Sequence, residues 1–250
     1  MKNNAVLITG AAKRLGREMA YTLAANGFDI AIHYNNSKIE AQKLADEIKR
    51  KFKVRCEIFQ GNLQQSATAK KLVTNAIKKF PNLNLLINNA SIFRESKFLT
   101  AQESELMDNL NIHFISPLIL AKEFSKHVIA NKIKDAQIIN MVDKNIVRFD
   151  TNYFYYLLTK KNLAELTKML ALELAPHVRV NGIAPGFILN NVNEKKTSPE
   201  YVEKLIKRIP LHKKGDVKNI CQTLEFLLEN NFISGEIIFV DGAASLNHAG

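Results

Sequence analysis

The chain alternates short apolar runs with longer segments in which apolar residues recur at helical spacing. The runs lie near residues 5–9, 28–34, 53–59, 83–88, 136–142, 178–184 and 236–240. Strands that alternate with helices in this way form parallel sheets whose two faces are covered by the helices. The sequence therefore predicts an α/β fold, a doubly wound parallel sheet of about seven strands with helices on both faces.

The alternation runs through the whole chain of 250 residues without a linker, a repeat or a low-complexity tract. A chain of this length buries a substantial core as one domain. Residues 1–250 are therefore predicted to form a single domain. The polar segment 187–214 interrupts the last alternation, and a long insertion at a ligand-binding edge favours a substrate-binding loop.

A glycine turn follows the first apolar run. Gly10 comes directly after Thr9, and helical spacing begins at Leu15, next to Gly16. Strand, glycine turn and helix in this order are typical of a Rossmann-type dinucleotide site, where the free N–H groups of the helix face a pyrophosphate. A plain turn between strand and helix has the same pattern, so the glycines alone leave both interpretations open.

Polar residues also end the fourth and fifth runs. Leu85-Leu86-Ile87 leads into Asn88-Asn89-Ala90, and the fifth run ends in Asn140-Met141-Val142-Asp143. The carboxyl ends of parallel strands are where ligands bind in such sheets. Asn and Asp are also common in ordinary turns, which is the alternative for both positions.

Tyr156 and Lys160 lie four residues apart in a segment predicted to be helical from 152 to 175. Residues at this spacing share one face of a helix, so the ammonium group is expected near the phenol. A nearby positive charge lowers the pKa of a tyrosine, which would make Tyr156 a proton donor at neutral pH.

Taken together, these motifs resemble those of the short-chain dehydrogenase/reductase family over nearly the whole chain. The matching positions, in chain order, are Thr9/Gly10/Gly16, Asn88-Asn89-Ala90-Ser91, Asp143, Tyr156/Lys160 and Pro185-Gly186. The resemblance implies a hydride-transferring oxidoreductase with Tyr156 as proton donor and Lys160 as the residue that lowers its pKa and binds the nicotinamide ribose.

Departures from the common family pattern resemble the pteridine reductase branch and its bacterial dihydropterin reductase relatives. Arg14 replaces the middle glycine, Asp143 replaces a serine, and Ser91 follows Asn89-Ala90, with Phe93 two residues later. The resemblance implies that Arg14 faces cofactor phosphates, that Ser91 meets cofactor or pterin, that Phe93 stacks on the pterin ring, and that Asp143 and Tyr156 pass a proton to a ring nitrogen. Packing of Phe93 within its loop and capping of a turn by Asp143 are the alternatives.

Two further positions differ from the larger family. Counting back from Pro117 places His113 where many members have an asparagine, which predicts an altered proton path, and Asn62 stands where an adenine-contacting aspartate is usual. The residues predicted to bind cofactor are Gly10, Arg14, Leu15, Gly16, Tyr34, Ser37, Asn62, Leu63, Asn89, Ala90, Ser91, Tyr156, Lys160, Pro185, Gly186 and Ile188. Those predicted to contact substrate are Ser91, Phe93, Asp143 and Tyr156.

The end of the second predicted strand favours NADPH over NADH. An NAD site places an acidic side chain there, but no Asp or Glu lies between Ile30 and Ile39. Arg14, Ser37 and Lys38 offer donors to the additional phosphate of NADPH, and arginine binds phosphate well.

Charge and composition indicate a soluble, cytoplasmic enzyme. The net charge is +11, but the basic residues are spread over many helices with acidic residues between them, which argues against specific nucleic-acid binding. The two cysteines lack the spacing of a metal or redox motif, and no pair of histidines has metal-ligand spacing. We expect no catalytic metal, no signal peptide and no membrane span.

The helix predicted over 152–175 bears apolar residues on more than one face, including Leu163, Leu166, Leu170, Leu172 and Leu174. The surplus beyond the face that covers the sheet predicts either deeper burial or a protein partner. Family members form tetramers through this helix and the last strand, so the resemblance implies a homotetramer.

The sequence thus predicts an NADPH-dependent reductase that acts on a dihydropterin or a related ring. One alternative is a carbonyl reductase, for example of 3-oxoacyl thioesters, in which Asp143 would be a handicap. The other is a non-catalytic nucleotide-binding protein, against which the presence of both Tyr156 and Lys160 argues.

Overall fold

A computed structural model of the protein describes residues 4–188 and 198–247. It contains a seven-stranded parallel sheet at the predicted positions. The strands are β1 Ala5–Ile8, β2 Asp29–Tyr34, β3 Cys56–Gln60, β4 Leu83–Asn88, β5 Ala136–Met141, β6 Val178–Pro185 and β7 Ile237–Val240. The strand order is β3-β2-β1-β4-β5-β6-β7, which confirms the predicted doubly wound Rossmann-type fold.

The order of strands places a crevice for a ligand at one edge of the sheet. The chain adds strands in one direction from β1 to β3 and then returns to the other side of β1 with β4. At such a reversal the loops after β1 and β4 diverge, and the crevice between them is open to a ligand. The predicted glycine turn and the Asn88-Asn89 pair follow these two strands.

Helices cover both faces of the sheet. They are α1 Arg14–Ala25, α2 Lys38–Phe52, α3 Ser66–Lys79, α4 Glu103–Leu110, α5 Ser116–Ala130, α6 Phe154–Glu173, α7 Pro199–Lys207 and α8 Val217–Glu229. The predicted helix over 152–175 is α6, which begins and ends two residues inside the predicted range.

Two apolar layers hold the helices against the sheet. On one face, Met19 of α1, Leu44 of α2 and Leu224 of α8 are fully or almost fully buried against the strands. On the other face, Val73 of α3 and Phe124 of α5 have no exposed surface. Each such side chain contributes about 1.5–3 kcal/mol by its removal from water, so the sheet edge that carries the site is a rigid support.

A π-helical turn over Asn111–Ile115 joins α4 to α5. It contains one more residue per turn than an α-helix, and turns of this kind are frequent at functional sites. The turn contains His113, which is buried beneath the loop that follows β4.

The predicted substrate loop 187–214 lies partly outside the described residues, because the positions 189–197 are not among them. Its described part contains Ile188 and α7. On α6, Met169 is 70% exposed and Leu172 is 84% exposed, so both are available for contact with a partner. None of the described helices is long and apolar enough to cross a membrane.

Candidate active site

A cleft of about 490 Å³ lies at the carboxyl ends of the strands, where the strand order reverses. It extends from the glycine turn after β1 to Tyr156 and Lys160 on α6. The residues that line it are Gly10, Lys13, Arg14, Leu15, Gly16, His33, Asn35, Asn62, Leu63, Gln64, Asn89, Ala90, Ser91, Ile92, Ile112, Met141, Val142, Asp143, Tyr156, Lys160, Pro185, Gly186 and Ile188.

The glycine turn requires its two glycines for different reasons. Gly10 has a φ of +63°, a conformation that side chains other than glycine rarely adopt. A Cβ on Gly16 would lie 2.5 Å from the carbonyl oxygen of Gly10 and 2.7 Å from the side-chain nitrogen of Asn89. Gly16 therefore lets α1 approach the turn itself and the loop after β4.

Gly16→Ala is expected to lower the free energy of unfolding by about 1–3 kcal/mol, because the added methyl group overpacks this contact. It should also weaken binding in the cleft, since the turn must move to make room. Urea denaturation and ligand titration measure the two effects. Ala25→Ser, at the exposed end of the same helix, is the control, and equal stability of the two variants would contradict the prediction.

Hydrogen bonds join the glycine turn to the loop after β4. Thr9 Oγ1 accepts from the backbone N–H groups of Asn89 and Ala90, both at 2.9 Å. The Asn89 amide in turn donates to the carbonyl oxygens of Thr9 and Gly10 at 2.8 and 3.1 Å. The Asn-Asn-Ala motif thus holds the two loops of the cleft at a fixed separation.

His33, at the end of β2, joins the glycine turn to the end of β3. Its Nδ1 accepts the backbone N–H of Gly10 at 3.0 Å, so Nε2 carries the hydrogen that is donated to the Gly61 carbonyl 2.9 Å away. Burial lowers the pKa of His33 to about 4, and the ring stays neutral at physiological pH. Sequence reasoning missed this residue, although a polar side chain at the end of a buried strand is the signal for it.

Asp143 and Tyr156 form a direct pair. The Tyr156 hydroxyl donates to Asp143 Oδ2 at 2.7 Å, and Asp143 Oδ1 accepts the Asn145 backbone N–H at 2.7 Å. The carboxylate is therefore fixed through both oxygens, and it fixes the phenol. The structure also bears out capping of a turn, because Asp143 caps the short 3-10 helix Lys144–Val147.

The pKa of Tyr156 differs from the sequence-based expectation. Burial and the adjacent Asp143 carboxylate raise it well above its ordinary value, whereas Lys160 was expected to lower it. The reason is the direction of the Lys160 side chain, whose Nζ donates to the Met141 carbonyl at 2.7 Å and lies 5.8 Å from the centre of the Tyr156 ring. Tyr156 is therefore held as a protonated phenol.

Lys160 is almost completely buried, at 3% exposure. Burial lowers its pKa to about 8, and the Asp143 carboxylate opposes part of that shift. A lysine with this pKa changes charge within the range of pH in which enzymes are usually studied. It is therefore a titrating group of the site as well as a binding group.

Ser91 and His113 contact each other at the wall of the cleft. Ser91 Oγ lies 2.8 Å from His113 Nε2, and the Ile92 backbone nitrogen lies 3.3 Å from the same atom. On the other side of the ring, Nδ1 lies 3.0 Å from Thr159 Oγ1. The position at which many family members have an asparagine thus holds a buried imidazole in contact with α6.

Phe93 lies next to the site but does not line the cleft. Its ring stacks on Tyr153, with centroids 4.4 Å apart, and meets Tyr156 edge-on at 4.8 Å. The ring is 48% exposed. Its predicted contact with a substrate ring stays a prediction, and its stacking on Tyr153 matches the alternative of packing within the protein.

The structure brings most of the predicted site residues together. Among the predicted cofactor residues, Tyr34 and Ser37 do not line the cleft. Tyr34 is buried in the apolar core at 5% exposure, and Ser37 directly precedes α2. Their predicted contact with a cofactor stays a prediction. Lining residues that sequence reasoning did not select are Lys13, His33, Asn35, Gln64, Ile92, Ile112, Met141 and Val142.

Over residues 4–188 and 198–247, no group of three or more His, Cys, Asp or Glu side chains is arranged to hold a metal ion. The chemistry of the cleft in this part of the chain rests on a phenol, an ammonium group, a carboxylate and backbone N–H groups.

Comparison with known proteins identifies relatives along the whole chain. A family model described as enoyl-(acyl carrier protein) reductase matches residues 10–245. The 3-oxoacyl-[acyl-carrier-protein] reductase FabG of Staphylococcus epidermidis is 28% identical over 243 residues, which are 96% of this chain and 98% of that protein. The uncharacterized oxidoreductase YmfI of Bacillus subtilis is 27% identical over 243 residues, 96% of this chain and 98% of that protein.

Solved structures with the same fold include two alternative dihydrofolate reductases. FolM alternative dihydrofolate reductase 1 from Brucella canis, complexed with NADP, has a TM-score of 0.91 and 31% identity and covers 99% of this chain and 96% of its own. The Brucella suis protein, also in complex with NADP, has the same TM-score and identity and covers 99% of this chain and 97% of its own. By family model, sequence and structure, the chain belongs to the short-chain dehydrogenase/reductase family of oxidoreductases.

Proposed function

We propose that the protein is an NADPH-dependent reductase that transfers hydride to a dihydropterin or a related ring. The observation that carries the proposal is the 2.7 Å hydrogen bond between Tyr156 and Asp143. A ring imine needs a proton at nitrogen when hydride reaches the neighbouring carbon, and a carboxyl group beside the phenol is suited to take part in that proton transfer. The likeness to the FolM structures supports the same substrate class.

The cleft fits a phosphorylated dinucleotide. The start of α1 lies at the cleft, where Leu15 and Gly16 are among the lining residues, and the dipole of a helix N-terminus favours a pyrophosphate. Gly10 and Gly16 both line the cleft, so backbone without a side chain faces a ligand there. Lys13, Arg14 and Asn35 line the end of the cleft near β2, where the 2′-phosphate of NADPH would bind. The FolM structures hold NADP.

Arg14→Gln is expected to weaken NADPH binding by about 10- to 150-fold while leaving NADH binding nearly unchanged, because a hydrogen bond to a charged group contributes about 1.5–3 kcal/mol. Glutamine removes the charge but keeps an unbranched polar side chain at a position where Arg14 has a φ of 55°. Fluorescence titration with both cofactors measures the effect. Arg17→Gln is the control, since Arg17 pairs with Glu18 and Glu47 outside the cleft. An equal loss for both cofactors would contradict a phosphate contact.

When bound, NADPH would supply the hydride, and the residues of the chain would position and protonate the substrate. Lys160 and Tyr156 would hold the nicotinamide end of the cofactor at the inner end of the cleft. Tyr156 would give its proton to the ring nitrogen, and Asp143, which accepts the hydrogen bond of the Tyr156 hydroxyl through Oδ2, would orient the phenol and relay a proton taken up from solvent back to its oxygen after the transfer. Asn145 keeps Asp143 oriented throughout.

The pH dependence of kcat/KM for NADPH should show an alkaline decline centred near pH 8. This parameter reports ionisations of the free enzyme, in which the pKa of Lys160 is about 8. Because this pKa is lowered, the ammonium form is present below pH 8 and is lost as the pH rises through it. Lys160→Arg should remove this decline, since arginine stays charged. An identical decline in both proteins would assign it to another group.

Carbonyl reduction is a second candidate, supported by the curated 3-oxoacyl reductases at 28% identity. In that reaction a hydroxyl group after the fifth strand would hydrogen-bond the carbonyl oxygen, whereas this chain has Asp143. A carboxylate at this position repels a carbonyl oxygen that gains negative charge. The residues of the site therefore favour the ring imine.

The deciding experiment is NADPH oxidation by the purified protein with dihydrobiopterin and acetoacetyl thioester offered in separate reactions. NADH and the Tyr156→Phe variant are the controls. Pterin turnover that requires NADPH and Tyr156 would support the proposal. Turnover of the thioester alone would place the protein with the carbonyl reductases, and NADPH binding without turnover of either would contradict the pterin assignment.

We also infer that the protein assembles as a homotetramer through α6 and β7, as the family resemblance implies. The exposed Met169 and Leu172 on α6 support this assembly, because two large apolar side chains on one helix favour contact with a partner. Segment 187–214 remains our candidate for the substrate loop, and its described residue Ile188 lines the cleft.

A further inference from the structure

The buried ring of His113 has three polar neighbours that the mechanism above does not use. They are the Ser91 hydroxyl and the Ile92 N–H at Nε2, and the Thr159 hydroxyl at Nδ1. The ring also meets Tyr156 edge-on, with centroids 5.3 Å apart. His113 therefore contacts both the loop after β4 and the helix that carries the proton donor.

The position of the ring proton follows from the Ile92 backbone. An N–H group only donates, so the nitrogen it faces, Nε2, carries no hydrogen. The ring proton lies on Nδ1 and is donated to Thr159 Oγ1. The hydrogen of that hydroxyl is donated in turn to the helix carbonyls of Tyr155 and Tyr156, each 2.9 Å away. Burial and the nearby Lys160 lower the pKa of His113 well below its ordinary range, so the ring is neutral.

This tautomer determines the direction of the Ser91 hydrogen bond. Because Nε2 carries no hydrogen, the Ser91 hydroxyl donates its single hydrogen to it at 2.8 Å. The other acceptor within reach, the Ile92 carbonyl oxygen, is farther away at 3.4 Å. Ser91 lines the cleft, so the lone pairs that remain on its oxygen are the part available to a ligand.

We propose that His113 is a positioning residue that fixes Ser91 as a hydrogen-bond acceptor in the cleft, so that the ligand group bound there must carry an N–H donor. The matching chemistry is an amino or amide NH₂ group. This inference rests on the function proposed above, under which two ligands carry such an NH₂ group. They are the nicotinamide ring, through its carboxamide, and a pterin, through its amino group. A ketone oxygen at this point could not accept a hydrogen bond from Ser91, because the Ser91 hydrogen is donated to His113. A methyl group could not donate a hydrogen bond to the Ser91 oxygen.

The test compares two pairs of ligands that differ only in the NH₂ group. The first pair is NADPH and its 3-acetylpyridine analogue, and the second is dihydrobiopterin and its 2-desamino form. We expect the NH₂ member of one pair to be favoured by about tenfold in Kd or kcat/KM, the size of one neutral hydrogen bond. The pair that shows the preference identifies the source of the donor.

Variants assign that preference to His113 and Ser91. Ser91→Ala and His113→Leu should each reduce it to near onefold, and the double variant should reduce it no further, because they remove the same contact. His113→Gln should restore part of it, since its side-chain oxygen accepts from Ser91. His127→Leu, at the far end of α5, is the control and should keep the full preference. A folded His113→Leu protein with the wild-type preference in both pairs, or a wild-type protein with none, would overturn the proposal.

Nitrogen NMR of the histidine-labelled protein tests the tautomer without any activity. The expected spectrum has a pyrrole-type Nδ1 and a pyridine-type Nε2 for His113, assigned by its loss in His113→Gln. The opposite tautomer, or a doubly protonated ring at neutral pH, would overturn the proposal even if pterin is turned over. Conversely, the protein could show the expected tautomer and prefer NADPH to its 3-acetylpyridine analogue, yet fail to turn over pterin. That combination would contradict only the proposed substrate.

Discussion

Replacement of Tyr156 by phenylalanine is expected to lower kcat by about 10²- to 10⁴-fold, the usual contribution of a positioned general acid. The substitution removes one oxygen atom, and with it the hydroxyl that contacts Asp143 Oδ2 and can deliver a proton into the cleft. The aromatic ring remains, so its contacts with Phe93 and His113 are retained. The loss should therefore fall on the chemical step.

Stopped-flow or steady-state NADPH oxidation measures this loss, and fluorescence titration shows whether the cofactor still binds. Tyr155→Phe is the matched control, because Tyr155 is a buried neighbour on α6 whose side chain does not line the cleft. We expect it to retain wild-type kcat. If both variants kept full activity, Tyr156 would not be the proton donor.

Asp143 variants are expected to change which substrate is reduced. Asp143→Asn keeps the shape of the side chain but cannot carry a proton to Tyr156, and we expect pterin reduction to fall by about 10²-fold or more. Asp143→Ser supplies a hydroxyl in place of the carboxylate. It should lose pterin reduction to a similar extent and gain activity towards the acetoacetyl thioester, because the repulsion of a developing oxyanion is removed.

The ratio of kcat/KM for the two substrates is the quantity to compare among the variants. Asp46→Asn provides the control for loss of one negative charge, since the exposed Asp46 lies on α2 outside the cleft and accepts a hydrogen bond from Gln42. Unchanged pterin turnover in both Asp143 variants would show that Asp143 has no part in proton transfer and serves only to cap the turn at Asn145. A gain of thioester activity in Asp143→Asn as well would assign the effect to charge alone.

The sheet and most of the cleft could be predicted from local patterns. The strands β1, β2, β4 and β5 are largely apolar runs whose side chains are buried on both faces, and the site residues that follow strand ends must meet at one edge in a parallel sheet. For this reason Gly10, Asn89, Asp143 and Pro185 were predicted together and line one cleft. The same reasoning placed Tyr34 and Ser37 at that edge, but Tyr34 turns into the core.

Directions of side chains could not be predicted in the same way. The four-residue spacing predicts that Lys160 lies one helical turn after Tyr156. The hydrogen bond from Lys160 to the Met141 carbonyl, however, depends on how closely α6 packs against β5. The contact of His113 with Ser91 and Thr159 joins three segments far apart in sequence. Such contacts depend on the packing of helices on the sheet, and a single sequence carries no periodic signal for them.

The π-helical turn over Asn111–Ile115 makes the number of residues in this segment a structural constraint. Loss of one residue would turn it into regular α-helix, and the flanking helices α4 and α5 would stay nearly in phase because the turn has one residue more than an α turn. The residues inside the turn would change direction, however, which would carry the His113 ring away from Ser91 and Thr159 even if every side chain of the site were kept. Insertions and deletions here would thus disrupt the cleft as effectively as substitution of a residue that lines it.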